Sequence, residues 1–174
     1  MGWKTDSTTG IEWYKQDSDW GCPYSCVAMV AKWVKGSEID ENDVRDRATN
    51  GSIMWPEDKT KRTEGASFEL VRALLTALGI DYMEVRPPSW YSIEKLKKAQ
   101  SEATLKTPVI LGVRWKTNDL HMVVCAGKQP NTDTVRIADP GAGVVLNAPG
   151  IRYEPGTIQG TFNARVIEVT GVLG

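Results

Sequence analysis

The order of hydrophobic patterns along the chain limits its fold more than any other feature. The first half carries helical patterns, and the run from Cys22 to Lys35 is apolar on most of its faces. After Thr107 the chain changes to strand-like segments separated by turn residues. These segments read PVILGVRW, HMVVCAGK, TVRIAD, GVVLN and FNARVIEVTGV. Helices followed by a run of strands favour an α+β fold with an antiparallel sheet.

Helix start and stop signals place four helices in the first two thirds of the chain. The first runs from Cys22 to Lys35, with Pro23 in a turn that tolerates proline and Gly36 as its stop. The other helices are expected at 41–49, 68–78 and 93–102, with Asp40, Ser67 and Ser92 as their N-caps.

The segments between these helices have no strong period. Residues 1–21 are polar and dotted with tryptophan, which predicts an irregular arm. Residues 50–65 read as a long charged loop, and loops of that length often carry function, so it is a candidate substrate loop. Residues 80–86 alternate as a strand before a proline pair.

Length and charge exclude several classes of protein. The 174 residues favour one domain over 1–174, whether the chain stands alone or is a piece of a longer protein. A formal net charge of −1 indicates neither a nucleic-acid nor a membrane partner. The N-terminus lacks the basic and apolar regions of a secretory signal, and no run approaches roughly 20 apolar residues. We therefore expect the protein to work in a cytosol, or to be delivered by a route without such a signal.

Cys22 is the candidate nucleophile among three cysteines. A chain of this size does not need disulfides, so reduced thiols are expected. A thiolate is favoured at a helix N-terminus, where unpaired N–H groups and the helix dipole stabilise negative charge. Cys26 lies one turn further along the helix and Cys125 lies among valines, so both are expected to be inert core residues.

His121 is the only histidine, so any imidazole base must be this residue. A hairpin between 121–128 and 134–139, centred on Pro130, places His121 opposite Asp139. Opposed residues have Cβ atoms roughly 5 Å apart. Asp139 would then fix the tautomer of the histidine and stabilise its charged form.

Three further residues are candidates for contacts with a substrate. An acyl-transfer site needs donors for the oxyanion, and Gln16 could supply a side-chain amide if residues 16–21 curl over the helix start. Trp20 and Trp115 are candidates for lining the substrate site, although packing roles are an equal alternative. Taken singly, each candidate has an ordinary structural explanation, and the combination of the four polar residues favours a cysteine hydrolase.

Zinc is an alternative use of the C-x3-C and H-x3-C spacings. In one extended strand, however, His121 and Cys125 would lie roughly 13 Å apart. A tetrahedral site would require that strand to break, so no metal is expected.

The quoted residues resemble papain-like cysteine proteases. The resemblance is carried by Gln16, by CPYSC at 22–26 opening an apolar helix, by HMVV at 121–124 and by ADP at 138–140. Two bacterial groups are most similar, namely the double-glycine leader peptidase domains of bacteriocin exporters and the effector proteases that plant pathogens inject. The exporter peptidases usually carry Asp-Cys-Gly, whereas this chain reads Gly-Cys-Pro, and we expect no transporter to follow. These departures favour a stand-alone effector or toxin domain.

The resemblance implies a papain-like α+β fold, with a helical lobe carrying the nucleophile packed on a twisted antiparallel sheet. It implies a cysteine endopeptidase without cofactors, in which Cys22 attacks, His121 is the base and acid, Asp139 orients it and Gln16 holds the oxyanion. The expected substrate is a protein, with glycine near the cut, inside a target cell. An immunity protein is an expected partner. The alternatives are a peptidoglycan amidase of the same fold and a non-catalytic binding module.

Overall fold

The computed structural model describes residues 2–18, 21–50, 64–85 and 92–172. Within them lie four helices and nine strands. The helices are α1 (Cys22–Lys35), α2 (Glu41–Asn50), α3 (Glu64–Ala77) and α4 (Ile93–Glu102). The strands are β1 (Gly2–Thr5), β2 (Glu12–Lys15), β3 (Ile80–Val85), β4 (Val109–Trp115), β5 (Leu120–Lys128), β6 (Val135–Asp139), β7 (Gly143–Asn147), β8 (Arg152–Tyr153) and β9 (Gly160–Val172).

The main sheet is antiparallel and has seven strands, in the order β3-β9-β4-β5-β6-β7 with β8 paired to β9. Successive side chains along its strands point to opposite faces. Val124 and Ala138 face a core that also contains α1 and α3. Val123 and Ile137 face a second core that contains Leu96 of α4. The predicted α+β class, with a helical lobe packed on an antiparallel sheet, is confirmed.

Helix α1 has the predicted bounds because its local signals and its packing agree. Pro23 lies in the first turn, and Gly36 ends the helix in the left-handed region at φ 71°. All but two of its residues are buried, and the exceptions are Lys32 and Lys35. The helix is therefore surrounded by protein on nearly every side, as its sequence predicts.

Two of the predicted N-caps are confirmed by their hydrogen bonds. The Asp43 N–H donates to Asp40 Oδ1 at 2.8 Å, and the Asp40 N–H donates back to Asp43 Oδ2 at 3.0 Å. At α4 the Lys95 N–H donates to Ser92 Oγ at 3.2 Å. Each bond satisfies a backbone donor that a helix start leaves without a helical partner.

The predicted start of α3 is wrong. The helix begins at Glu64, so residue 67 lies inside it and is not its N-cap. A glycine inside a helix costs only about 1 kcal/mol. Gly65 therefore does not exclude a helix whose following residues, such as Phe68 and Leu70, pack in the core. Residues 51–63 of the predicted loop 50–65 lie outside the described residues, so the substrate-loop role stays a prediction.

The predicted irregular arm contains a β-hairpin, which corrects that prediction. Strands β1 and β2 pair antiparallel, with Trp3 opposite Tyr14. Their rings meet edge to face at 5.4 Å between centroids. An isolated two-stranded hairpin is marginally stable, but this one packs on α1, where Trp33 Nε1 donates to the Glu12 carbonyl at 2.7 Å. Tertiary contact therefore forms a hairpin that the local pattern does not predict.

Candidate active site

Cys22 is the first residue of α1 and is nearly buried, with 9% of its surface exposed. The preceding residue, Gly21, has no side chain to cap the helix, and the first turn contains no acidic residue. A helix N-terminus favours negative charge in general. The Glu41 carboxylate of α2 also lies beside this end of α1, since a Cβ on Gly21 would be 1.4 Å from Glu41 Oε1.

Helix α1 meets the start of β5, and this contact brings Cys22 to His121. One turn after Cys22, the Cys26 thiol donates to the carbonyl of Met122 at 3.4 Å. Met122 is the neighbour of His121 in β5. The side chain of Cys22 lies close enough to the imidazole to contribute, together with Asp139, to raising the pKa of His121. The thiol and the imidazole are therefore neighbours where α1 meets β5.

Asp139 holds the other side of the imidazole. His121 Nε2 lies 2.6 Å from Asp139 Oδ1, and the side chains of both residues are almost fully buried. Oδ1 also accepts from the Gly141 N–H at 2.7 Å. Oδ2 accepts from the Tyr153 hydroxyl at 2.6 Å. The carboxylate is therefore hydrogen-bonded on both oxygens.

The strand register that produces this contact differs from the predicted one. In the β5–β6 ladder Cys125 pairs with Ile137, not with Val135, so Asp139 is not directly opposite His121. The pairing next to the turn, Lys128 with Val135, is centred between residues 131 and 132, and a register shift between Cys125 and Lys128 moves the centre of the pairs nearer the site to residue 131. Asp139 and His121 are diagonal neighbours on one face, a separation that the histidine ring can bridge.

The pKa values of the pair are shifted in opposite directions. Burial lowers the pKa of His121, but hydrogen bonds and charges of Asp139 and Cys22 outweigh it and raise that pKa to about 10. Burial would raise the pKa of Asp139, but hydrogen bonds from His121, Tyr153 and Gly141 hold it below its usual value. An imidazolium beside a carboxylate is thus the favoured state of the pair.

Gln16 follows β2 and lies beside the same group of residues. A Cβ placed on Gly141 would be 3.9 Å from Gln16 Oε1 and 3.7 Å from His121 Cε1. Gln16 Nε2 donates to the Ser18 carbonyl at 2.7 Å. An amide nitrogen carries two hydrogens, so this bond uses one of the two donors. The structure therefore brings Gln16 to the site without directing its amide at a substrate.

The two tryptophan candidates have different outcomes. Trp115 stacks on His121 with 5.6 Å between ring centroids and an interplanar angle of 26°. It also packs against Tyr153 at 5.8 Å. Trp115 thus supports the imidazole, and its role as a substrate contact stays a prediction. Trp20 lies outside the described residues.

The family of the chain is decided by a match over most of its length. Residues 5–150 match the family model described as papain-like cysteine protease AvrRpt2. The chain belongs to the AvrRpt2 family of papain-like cysteine proteases. Comparison with curated proteins gives no match.

Two solved peptidase domains share the fold of this AvrRpt2-family protease, and a third structure is less similar. The peptidase domain of Streptococcus ComA, a bifunctional ABC transporter involved in quorum sensing, is 16% identical, with a TM-score of 0.61 over 91% of this chain and 96% of that one. A double-glycine-motif protease from an AMS/PCAT transporter, solved with its leader peptide, is 21% identical, with a TM-score of 0.52 over 98% and 99%. The Pseudomonas avirulence protein AvrPphB is 13% identical, with a TM-score of 0.35 over 79% and 81%.

Family membership makes the AvrRpt2-family protease a papain-like cysteine endopeptidase, whose substrates are polypeptides. Within the described residues, no group of three or more His, Cys, Asp or Glu side chains is placed to hold a metal ion. Cys125 lies in a different core from Cys22 and Cys26, so the three cysteines of the C-x3-C and H-x3-C spacings do not meet at one point. No helix in the described ranges has the length and apolarity needed to cross a membrane.

Sequence reasoning missed two residues of the protease that touch the site. Gly141 lies where a Cβ would be 3.3 Å from Asp139 Oδ1, and its N–H donates to that oxygen. Tyr153 belongs to β8, which is two residues long and was not predicted. A strand of that length has no hydrophobic period, so the sequence contains no signal for it.

Proposed function

We propose that this chain hydrolyses amide bonds of protein substrates with a Cys22–His121–Asp139 triad, assisted by Gln16. One observation carries the proposal, namely that a single imidazole is hydrogen-bonded to Asp139 and has Cys22 as the other neighbour that raises its pKa. That arrangement joins a nucleophile, a base and an orienting carboxylate, as acyl transfer through a covalent intermediate requires.

The hydrogen-bond partners assign a role to each imidazole nitrogen. Asp139 is ionised because its pKa is lowered, so its oxygens only accept hydrogen bonds. Nε2 of His121 must then carry a proton and donate to Oδ1. This leaves Nδ1 as the nitrogen that exchanges a proton with Cys22 and with the leaving amine.

The steps follow from this assignment. The Cys22 thiolate attacks the carbonyl carbon, and a C–S bond forms. The C–N bond breaks as His121 Nδ1 gives its proton to the leaving amine. Nδ1 then takes a proton from water, whose oxygen attacks the thioester. The C–S bond breaks, the acid product leaves, and the thiolate returns beside the imidazolium.

The developing oxyanion needs fixed donors. The backbone N–H of Cys22 at the start of α1 is one candidate. The Gln16 amide is the other, since it has a hydrogen beyond the one given to Ser18. These donors would stabilise charge that exists only in the transition state.

Glycine beside the scissile bond is the proposed substrate preference. Cys22 is 9% exposed and the His121 side chain 11% exposed, so little of either reactive group is open to a substrate. A residue without a Cβ would approach such weakly exposed groups most easily. The solved double-glycine-motif protease shares this fold and is consistent with that preference.

We also propose a biological setting, in which the chain is an effector or toxin domain that acts in the cytosol of a target cell. Its resemblance to injected papain-like effector proteases supports this setting. A toxin that cuts cytosolic proteins requires a cognate inhibitor in its producer, so an immunity protein that covers Cys22 is the proposed partner.

The deciding experiment incubates cytosolic protein extract and peptide libraries with wild type, Cys22→Ala, His121→Ala and Cys125→Ala. Wild type and Cys125→Ala should generate new N-termini next to glycine, and the other two should generate none. Cleavage that persists in Cys22→Ala contradicts the triad. Purified peptidoglycan is digested in parallel, and release of stem peptides there alone identifies an amidase. Binding of a partner without hydrolysis by any variant identifies a binding module.

A further inference from the structure

A buried tyrosine completes the hydrogen bonding of the triad carboxylate. The Tyr153 side chain is fully buried, and its hydroxyl lies 2.6 Å from Asp139 Oδ2. The other carboxylate oxygen is shared by His121 and the Gly141 N–H. Without Tyr153, one oxygen of a buried anion would lack this partner, which is costly away from water.

The backbone around Tyr153 is held on both sides. Tyr153 pairs with Gly160 of β9. The Asn147 side chain donates to the Arg152 carbonyl at 2.8 Å and accepts from the Glu154 N–H at 3.0 Å. These bonds fix the residues before and after Tyr153, so its hydroxyl has little freedom to leave the carboxylate.

The Tyr153 ring also touches the residue that stacks on the imidazole. Trp115 lies 5.8 Å from the Tyr153 ring and 5.6 Å from the His121 ring, measured between centroids. Phe162 closes the other side of the Tyr153 ring at 5.3 Å. The tyrosine therefore contacts Asp139 through its hydroxyl, and its ring contacts Trp115, the residue that stacks on His121.

We propose that Tyr153 is a positioning residue, which holds the Asp139 carboxylate ionised and aimed at His121 Nε2. The proposal rests on the triad function proposed above and adds a fourth member to it. The Tyr153 hydroxyl donates to Asp139 and its ring packs against Trp115 and Phe162, so we expect it to act on catalysis through Asp139.

The ionisable groups that face Asp139 in the described structure come from three elements. They are His121 from β5, Tyr153 from β8 and Cys26 from α1. Burial raises the pKa of Cys26, so it remains a neutral thiol. Burial and the charge of Asp139 raise the pKa of Tyr153, so its hydroxyl keeps its proton and donates. Removal of that donor makes the carboxylate easier to protonate.

The first test is Tyr153→Phe, which keeps the ring and removes the hydroxyl. A hydrogen bond to a charged group shifts a pKa by about one to two units. The acidic limb of kcat/KM on a cleaved peptide should therefore move up by about that much. At the pH optimum kcat should fall roughly tenfold with KM unchanged. Tyr82→Phe is the matched control, since its hydroxyl contacts Thr76 at the far edge of the sheet, and it should change nothing.

The second test needs no substrate, so it separates this proposal from the proposed function. The chain has one histidine, so the imidazole N–H signals in NMR belong to His121 alone. Both proteins carry Cys22→Ala, and the NMR signal of the hydrogen-bonded proton on His121 Nε2 is followed as the pH is lowered. This signal should disappear at a pH about one to two units higher when Tyr153→Phe is also present. Fluorotyrosine at position 153 is a stronger hydrogen-bond donor, so it should move the disappearance of the signal to lower pH. It keeps the ring and the hydroxyl, so the packing of the ring is retained.

Two results would overturn the proposal. One is an Nε2 proton that is lost at the same pH with tyrosine, phenylalanine and fluorotyrosine. The other is a loss of activity in Tyr153→Phe without movement of the acidic limb, which would make Tyr153 a packing residue only.

Discussion

The backbone N–H of Gln16 donates to the carbonyl of Pro140, 2.9 Å away, and joins the two ends of the site. Lys15 Nζ donates to the next carbonyl, that of Gly141, at 2.6 Å. Gln16 follows the N-terminal hairpin, whereas Pro140 follows Asp139. The segment proposed to hold the oxyanion is thus tied to the turn that orients the imidazole, and movement of one would disturb the other.

Alkylation with iodoacetamide near neutral pH should modify Cys22 first. Cys26 and Cys125 are fully buried, and burial raises the pKa of the Cys125 thiol to about 12 and that of Cys26 well above its usual range. Peptide mass mapping over time measures the three rates. Equal rates at the three cysteines would contradict an activated Cys22, and His121→Ala should slow the Cys22 reaction alone.

Stability should depend on pH through the His121–Asp139 pair. The pKa of His121 is raised from 6.5 to about 10, so its contribution is complete below 6.5 and is lost as the pH rises toward 10. The pKa of Asp139 is lowered from 3.8, so its contribution is present above 3.8 and is lost as the pH falls through the lowered value.

Asp139→Asn tests this dependence by urea unfolding at several pH values. The variant should be less stable than wild type by about 1–3 kcal/mol between pH 4 and 6.5, with a smaller difference near pH 10. A difference that is constant from pH 4 to 10 would show that the pair does not carry the pH dependence.

Gln16→Ala should lower kcat by about 10²–10³ with little change in KM, as expected for loss of one oxyanion donor. Gln16→Glu keeps the shape but replaces the donor by an acceptor, and it should be at least as impaired. Gln159→Ala, at an exposed position, is the control. A change confined to KM would assign Gln16 to substrate binding.

Gly21→Ala should damage the protein through Glu41. A Cβ on Gly21 would lie 1.4 Å from Glu41 Oε1, and the Glu41 side chain is buried and accepts from Ser25 Oγ at 3.2 Å. We expect a loss of about 1–3 kcal/mol in unfolding free energy, since a packed interior resists added atoms. Thermal unfolding and kcat/KM measure the two effects.

The double variant Gly21→Ala with Glu41→Ala is the control for that clash. The double variant removes the carboxylate that the new methyl group would meet. Its loss of unfolding free energy should therefore be smaller than the sum of the losses in the two single variants. Additive losses would mean that Gly21 is required for another reason.

Elements with strong local signals could be predicted from the sequence. Helix α1 combines an apolar surface with Pro23 and Gly36, and the Asp40 and Ser92 caps form bonds within their own turns. Strand β7 has its predicted bounds because glycine-containing turns flank it. The N-terminal hairpin and the start of α3 were predicted wrongly, since packing on distant parts of the chain decides them.

The sequence by itself determined which groups are candidates for the proposed chemistry, because the chain has one histidine and one cysteine at the mouth of an apolar helix. Only the tertiary structure decided how they meet. The β5–β6 bulge makes Asp139 a diagonal partner of His121, and β8 brings Tyr153 to the carboxylate. The physical reason is that hydrogen bonds between distant segments depend on register and packing, which no local pattern of residues encodes.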